Sequence, residues 1–163
     1  MAQTLRPVAI ADLLSAADQP HCWTFDQPIS ALQASTPVRG WLRLEVEGPL
    51  LRVEGEAATT VELCCDRCLR TYVHPLSARV SERLGLGTTA EDLDDALAFD
   101  AEGISEQLDP EGSFDPEQWI YEQLSLQLPL VNRCGPECPG PASWGSDQPP
   151  SDPRWGALNK LRQ

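Results

Sequence analysis

Hydrophobic and polar residues alternate along three consecutive segments, which is the pattern of half-buried β-strands. The first segment is Val38–Glu47, the second covers 51–63, and the third runs from about 70 to 84. Gly48-Pro49 separates the first two segments and predicts a turn. We therefore expect an antiparallel meander with one face toward a core and one toward water, which would be barrel-like if its edges met.

One or two helices are expected to pack on this sheet. Asp115 suits an N-cap, Pro116 suits the first helical position, and Gln118 is the capping-box partner three residues after the cap. Pro129 should end this helix. Its apolar stripe has a spacing of four residues and consists of Ile120, Leu124 and Leu128. A shorter helix is expected near residues 10–16.

Charge is unevenly distributed along the 163 residues. The chain has 25 acidic and 12 basic side chains, a net charge of −13, and residues 84–132 hold twelve of the acidic residues and none of the basic ones. The acidic stretch at about 85–113 predicts a long exposed loop, and the proline-rich tail at about 139–163 predicts irregular structure. The sequence thus predicts a single α+β domain over 1–163. Its overall charge argues against a protein that coats nucleic acid or anionic membranes.

No apolar run approaches the roughly 20 residues that span a bilayer. Pro7 and Asp12 interrupt the amino-terminal segment where a signal peptide would need an unbroken apolar core. We therefore expect a cytoplasmic protein without a membrane partner. Because thiols are kept reduced in that compartment, the six cysteines favour metal binding or thiol chemistry over a disulfide framework.

Four cysteines form two close pairs, Cys65 with Cys68 and Cys134 with Cys138. Such spacing lets two thiolates bind one ion, and two pairs that meet would form a closed, structural four-thiolate zinc site. Because Cys64 precedes Cys65, a pair of Cys64 with Cys68 is an alternative.

Two further cysteine interpretations follow from local context. A redox role for Cys65 and Cys68 would need a helix amino terminus beneath the first thiol, whereas a strand follows here. Cys22, beside Trp23, is expected to be a buried core cysteine.

The motifs of an enzyme are missing from the sequence. It contains no phosphate-binding glycine loop, no zincin motif and no nucleophile elbow. The paired carboxylates lie in the expected loop, which would not hold a general acid and base in register. We therefore expect no catalytic residue and no small-molecule substrate.

Several arginines near the first cysteine pair are candidates for phosphate contact. They are Arg67, Arg70, Arg79 and Arg83. Their alternation with Glu62 and Glu82 equally allows surface ion pairing.

Four motifs stand in a characteristic order. They are Val38-Arg39-Gly40, Cys65-Asp66-Arg67-Cys68-Leu69, Leu128-Pro129-Leu130 before the second cysteine pair, and Asp152-Pro153-Arg154-Trp155-Gly156-Ala157-Leu158. In this order the chain resembles the YceD family, named for large ribosomal RNA subunit accumulation.

The resemblance implies a bacterial or plastid protein needed for accumulation or processing of 23S ribosomal RNA. It also implies a metal-binding set of Cys65, Cys68, Cys134 and Cys138, and it supplies no catalytic residue. Many relatives continue after Cys138 with further cysteines, where this chain reads Pro-Gly-Pro-Ala-Ser-Trp-Gly over 139–145. The ion could therefore have been lost in this version.

The leading hypothesis is a non-enzymatic factor for large-subunit biogenesis, located in the cytoplasm or, in a plant, the plastid stroma. Its partners would be 23S precursor RNA, large-subunit ribosomal proteins or biogenesis factors. Arg154 joins the arginines near the first cysteine pair as a candidate for RNA contact. The alternatives are a zinc-stabilised adaptor that does not bind ribosomal RNA and a thiol oxidoreductase acting through Cys65 and Cys68.

Overall fold

A computed structural model describes residues 4–86 and 104–141. In chain order its elements are β1 (Val8–Ala9), α1 (Ile10–Ser15), β2 (His21–Gln27), a 3₁₀ turn (Ser30–Leu32), β3 (Val38–Glu47), β4 (Leu50–Cys64), β5 (Thr71–Gly85), β6 (Ile104–Gln107), β7 (Ser113–Phe114) and α2 (Pro116–Ser125). The main sheet has the strand order β2-β3-β4-β5-β6, and β1 pairs with β7 in a second, two-stranded sheet. The α+β class predicted from the sequence is confirmed.

The main sheet is open, not barrel-shaped. Strands β2 to β5 form an antiparallel meander, and β6 is added parallel to β5. Within the described residues β2 and β6 are the two edges and do not pair with each other. The barrel-like closure considered from the sequence is therefore wrong, since β6, with four residues, offers little edge for such pairing.

The β3–β4 hairpin forms where the alternating pattern predicts it. β3 covers Val38–Glu47, and Glu47 pairs with Leu50 across the turn. Gly48 has a φ of 61°, which glycine adopts without steric cost. A glycine at the first position of a two-residue loop suits the right-handed twist of the flanking strands.

The β4–β5 hairpin extends beyond the rest of the sheet. Its two strands have 15 residues each and pair from Leu50 with Gly85 to Cys64 with Thr71. β3 pairs with β4 only as far as Ala58, and beyond that point the neighbour of β4 is an isolated bridge from Ala34 to Val61. The tip of the hairpin, residues 65–70, is thus carried away from the broad part of the sheet.

One face of the sheet is buried under α2, as the alternation predicts. The buried side chains on this face include Leu42, Leu44, Leu51, Val53, Ala57, Val61, Leu76, Ala78 and Leu84 from the strands, and Ile120 and Leu124 from α2. Glu82 fixes the helix on the sheet because its carboxylate accepts hydrogen bonds from Trp119 Nε1 (2.9 Å) and Gln123 Nε2 (3.1 Å).

Helix α2 begins as predicted and ends earlier than predicted. Asp115 Oδ1 accepts from the backbone N–H groups of Glu117 (3.0 Å) and Gln118 (3.1 Å), which confirms the N-cap. The Gln118 side chain donates to Glu122 (2.6 Å) instead of closing a capping box.

The helix ends at Ser125, four residues before Pro129. Hydrogen bonds from Gln127 N to Leu124 O and from Leu128 N to Ser125 O tighten the chain past this point. The predicted stripe residue Leu128 is therefore exposed instead of packing on the sheet.

Two other sequence predictions can be compared with the fold. Helix α1 confirms the short helix expected near 10–16. Cys22 was expected in the core, but it is exposed, because in β2 it lies opposite Arg43 on the outward face while Phe25 points inward.

Parts of the acidic segment and the tail lie outside the described residues. These parts are 87–103 and 142–163, and the second includes Arg154. At the far end of the acidic segment, residues 104–107 and 113–114 form strands that the sequence analysis did not predict. Among the described residues, the helices are too short and too polar to cross a membrane.

Candidate metal centre

Two segments that are distant in sequence meet at the tip of the β4–β5 hairpin, and together we call them the knuckle: residues 65–70 and 130–140. In the first segment, Cys65 N donates to Arg70 O (2.9 Å) and Leu69 N donates to Cys65 O (2.8 Å). These bonds close a tight turn that directs Cys65 and Cys68 toward the second segment.

The turn places Leu69 in a left-handed backbone conformation with a φ of 60°. For a residue with a Cβ this conformation costs about 1–2 kcal/mol. The two turn hydrogen bonds hold Leu69 in this conformation despite its cost. They therefore also fix the backbone around Cys65 and Cys68.

Asp66 and Asn132 join the two segments through a reciprocal pair of hydrogen bonds. Asp66 N donates to Asn132 O (2.9 Å), and Asn132 N donates to Asp66 Oδ2 (2.7 Å). In the second segment Gly135 has a φ of 124° and accepts a hydrogen bond from Cys138 N (3.3 Å). This turn brings Cys134 and Cys138 to the same side of the chain.

The four cysteines predicted as a metal-binding set lie together. The sulfur atoms of Cys65, Cys68, Cys134 and Cys138 are all within 4.8 Å of one another. Cys65 Sγ is 3.9 Å from Cys138 Sγ, and Cys68 Sγ is 3.6 Å from Cys134 Sγ. These distances are too long for disulfide bonds, and all four thiols are free.

The structure distinguishes Cys65 from its neighbour Cys64. Cys64 is the last residue of β4 and its side chain is exposed, whereas Cys65 is completely buried. Cys65 and not Cys64 therefore belongs to the cluster.

The environment of the thiols favours a bound cation. Backbone N–H groups of Cys68, Cys134 and Arg67 lower the pKa of Cys65 to about 6. Burial and the neighbouring thiols of Cys138, Cys68 and Cys65 raise the pKa of Cys134 to about 12. Four negative sulfurs at this separation repel one another, so the cluster becomes fully deprotonated only when a positive ion compensates the charge.

The cluster also has the dimensions of a tetrahedral thiolate site. Sulfurs placed about 2.3 Å from a zinc ion in tetrahedral geometry are roughly 3.8 Å apart. The two short sulfur separations, 3.9 and 3.6 Å, bracket that value. The residues present therefore fit a metal ion of zinc's size and ligand preference.

Sequence reasoning missed the residues that support the cysteines. Asp66 and Asn132 carry the reciprocal hydrogen bonds, and Tyr72 lies beside the cluster, where burial raises the pKa of its hydroxyl. An aspartate directly after a cysteine is a turn signal that could have indicated Asp66. Asn132 and Tyr72 carry no comparable signal, because only the tertiary fold brings them to the site.

The arginines predicted to contact RNA lie in two different places. Arg67 and Arg70 are exposed on the knuckle, whereas Arg79 and Arg83 are in β5 on the sheet face opposite α2, where Arg79 is exposed and Arg83 half-buried. Arg133 is also exposed on the knuckle, and sequence reasoning did not single it out.

Ion pairing distinguishes the knuckle arginines from three arginines of the sheet, although Arg79 of β5 likewise forms no salt bridge among the described residues. On the sheet, Arg39 pairs with Asp26 (3.0 Å), and Arg43 and Arg52 pair with glutamates. Among the described residues, Arg67, Arg70 and Arg133 form no salt bridge. The knuckle therefore presents three arginines without salt bridges to described residues, alongside the exposed acidic residues Asp66 and Glu137, on a chain whose net charge is −13.

Comparison with family models matches residues 53–162 to the large ribosomal RNA subunit accumulation protein YceD. The match covers more than half of the chain and includes all four clustered cysteines. The chain belongs to the YceD family. Its members are described by a role in the accumulation of large-subunit ribosomal RNA, and the YceD match includes β4 from Val53 onward, all of β5 and the whole knuckle. No curated protein and no solved structure matches the chain.

Proposed function

We propose that this chain is a non-enzymatic factor that supports accumulation and processing of 23S ribosomal RNA during large-subunit biogenesis, in the cytoplasm or plastid stroma. The family match over 53–162 carries this proposal. The four-thiol cluster within the matched region supports a structural role for a bound metal.

The metal is zinc, held by Cys65, Cys68, Cys134 and Cys138. Four thiolates form a closed set that leaves no coordination position for substrate, which is the arrangement of structural zinc sites. A soft thiolate set also selects zinc over magnesium or calcium. Bound zinc would hold the tip of the β4–β5 hairpin against the segment that follows α2.

A thiol oxidoreductase is a weaker alternative. The pKa of Cys65 is lowered to about 6, which by itself would favour a reactive thiolate. However, Cys65 is completely buried, and a thiolate that attacks a substrate disulfide must be partly exposed. The lowered pKa of Cys65 is better explained by metal binding, because a cysteine must lose its proton before it can bind a metal ion.

The knuckle is the surface that we propose to contact the assembling subunit, where the partners are 23S precursor RNA, large-subunit ribosomal proteins or biogenesis factors. Arg67 and Arg70 are exposed there and form no salt bridge with any residue that the structure describes. Arg79 and Arg83 on the sheet, and Arg154 in the tail, remain further candidates for RNA contact.

The zinc proposal is tested by measuring the metal content of the purified chain. We expect about one zinc per chain, which Cys65→Ser abolishes because a buried ligand is lost. The matched control is Cys64→Ser, which alters the adjacent, exposed cysteine and should retain the ion. Metal-free wild-type protein, or equal zinc in both variants, would contradict the site.

The ribosomal proposal is tested by depleting the protein in its host and measuring 23S RNA relative to 16S RNA. We expect the ratio to fall and the wild-type gene to restore it. Arg67→Glu combined with Arg70→Glu should restore it poorly, whereas Arg39→Glu, which alters an ion-paired sheet arginine, should restore it fully. An unchanged ratio after depletion would show that the proposed function is wrong.

A zinc-stabilised adaptor outside ribosome assembly is the second candidate. The exposure of Leu69, Leu130 and Val131 on the knuckle favours it, because exposed aliphatic side chains are typical of protein-binding surfaces. Gentle purification distinguishes the two functions. Recovery of one protein partner without ribosomal RNA would favour the adaptor, and recovery of 23S precursor would favour the ribosomal factor.

A further inference from the structure

Exposed aliphatic side chains gather on the two segments of the knuckle. Leu69 is 57% exposed on the first segment, and on the second Leu130 is fully exposed and Val131 is 56% exposed. Val131 immediately precedes Asn132, which is hydrogen-bonded to Asp66. The three side chains therefore belong to one compact unit, the same unit that holds the cysteine cluster.

A leucine at position 69 does not stabilise the fold, because both its backbone conformation and its exposure are unfavourable. Its φ of 60° is a conformation that glycine adopts freely and that a residue with a Cβ adopts at a cost. Its side chain is also largely in water, so burial offsets little of that cost. A bulky apolar residue in a strained, exposed position indicates use by something outside the fold.

The charge around these residues specifies the partner further. Arg67, Arg70 and Arg133 lie on the same two segments and form no salt bridge within the part of the chain that the structure describes. Guanidinium groups without intramolecular partners pair best with carboxylates or phosphates of another molecule.

The apolar residues favour a protein over bare RNA as the occupant. Single-stranded RNA is bound chiefly by aromatic side chains on which bases stack, and the exposed apolar residues of the knuckle are leucine and valine. Aliphatic side chains bordered by arginine instead match a protein surface that has an apolar centre and an acidic border.

We propose that the knuckle surface, formed by Leu69, Leu130 and Val131 with Arg67, Arg70 and Arg133, docks a protein through an apolar contact bordered by carboxylates. This inference rests on the proposed function in one respect, since it takes that protein to be a component of the assembling large subunit.

The test is site-specific photo-crosslinking in the host, with a photoreactive residue at position 130 of the full-length chain and sequencing of the crosslinked peptide. We expect a peptide from one protein, with apolar residues flanked by aspartate or glutamate. The yield should fall about thirtyfold, the loss that removal of a binding hot spot produces, in Leu69→Gly and in Arg70→Glu. The matched control position is Ala58, which is exposed on the sheet and should give no such product.

Leu69→Gly separates docking from folding. It removes the apolar side chain and also relieves the left-handed backbone, so its melting temperature and zinc content should equal or exceed those of the parent. A lost crosslink in a protein of unchanged stability therefore supports docking. A crosslink that persists in Leu69→Gly would overturn the role of this residue and with it the proposal.

The remaining outcomes also decide the question. A crosslink to RNA, to a second copy of this chain, or to the same extent at position 58 would overturn the docking proposal. An RNA crosslink would leave the proposed ribosomal function standing. Conversely, a crosslink to an acidic, apolar peptide combined with an unchanged 23S ratio after depletion would retain the docking surface and reject the ribosomal function.

Discussion

The sheet with α2 and the cysteine knuckle are stabilised by different forces. The sheet buries a continuous set of aliphatic side chains under α2, and its surface arginines Arg39, Arg43 and Arg52 are paired with carboxylates. The knuckle buries chiefly the Cys65 sulfur, exposes Leu69 and Leu130, and leaves its arginines without salt bridges among the described residues. The sheet is therefore stabilised by its own apolar burial, whereas the knuckle would depend on the proposed metal ion at its centre and has exposed leucines and arginines around it.

Metal removal should produce the largest difference between the two regions. Structural zinc contributes about 10–16 kcal/mol of binding free energy in small zinc-finger peptides, and the knuckle has little apolar burial to replace it. After chelation we expect fast hydrogen exchange at the amides of Asp66 and Leu69, which form the knuckle hydrogen bonds, while the amide of Leu44 in β3 stays protected. Equal loss of protection in both regions would show that the sheet is not independent of the metal.

Shortening a core side chain should destabilise the sheet with α2 and leave the metal content of the knuckle unchanged. Leu124→Ala removes a completely buried side chain beneath α2, and we expect the free energy of unfolding to fall by about 2–5 kcal/mol with zinc content unchanged. Leu130→Ala, at a fully exposed knuckle position, is the control and should change it by less than about 0.5 kcal/mol. Urea denaturation measures both values, and a large loss for Leu130→Ala would mean that this residue packs within the fold.

The affinity for metal should depend on pH in the direction that the thiol pKa values require. The pKa of Cys134 is raised to about 12, so at neutral pH the metal-free protein carries a proton there that the ion must displace. Affinity should fall about tenfold per pH unit for each proton released on binding, and more steeply once the pH drops through the Cys65 pKa of about 6.

Calorimetry of metal binding in buffers with different ionisation enthalpies counts these protons.

In the metal-free protein, the effect of pH on the free energy of unfolding has opposite signs for the two thiols. The lowered pKa of Cys65 stabilises the fold above the ordinary thiol value, and this contribution is lost as pH falls through about 6. The raised pKa of Cys134 stabilises it below the ordinary value, and this contribution is lost as pH rises toward about 12. A binding enthalpy that is independent of buffer would contradict the assignment for Cys134.

The smallest expected effect comes from removing a paired arginine of the sheet. Arg52 bonds to Glu54 and Glu47 at the surface, and exposed ion pairs of this kind contribute about 0.2–1 kcal/mol. We expect Arg52→Gln to lower the free energy of unfolding within that range, and Arg70→Gln to change it even less. Thermal melts of the two variants test the distinction, and greater destabilisation by Arg70→Gln would show that Arg70 has a structural partner.

The sequence was most informative where the signal is local. Strand β3 and the turn at Gly48 follow from period-two alternation and turn chemistry, and the start of α2 follows from Asp115 and Pro116. The spacing of the cysteines in two close pairs predicted the cluster, with Cys64 left as an alternative to Cys65. All of these signals operate within a few residues, so they can be read without knowledge of the fold.

The sequence was least informative where distant segments decide the outcome. Nothing near Cys22 shows that it lies opposite Arg43 on the outward face, and nothing near Pro129 shows that α2 has already ended at Ser125. The parallel addition of β6 to β5 likewise depends on a long connection, whose path local propensity does not specify.

The sequence by itself determined the central strands, the start of α2 and the presence of two cysteine pairs, because each rests on spacing within one segment. Only the tertiary structure decided that Cys65 and not Cys64 joins the cluster and that Asp66 bonds to Asn132. It also decided that Arg39, Arg43 and Arg52 of the sheet are ion-paired, whereas Arg67, Arg70 and Arg133 of the knuckle form no salt bridge among the described residues. The physical reason is that burial, hydrogen-bond partners and ion pairs are properties of segments brought together by folding, and residue spacing does not encode them.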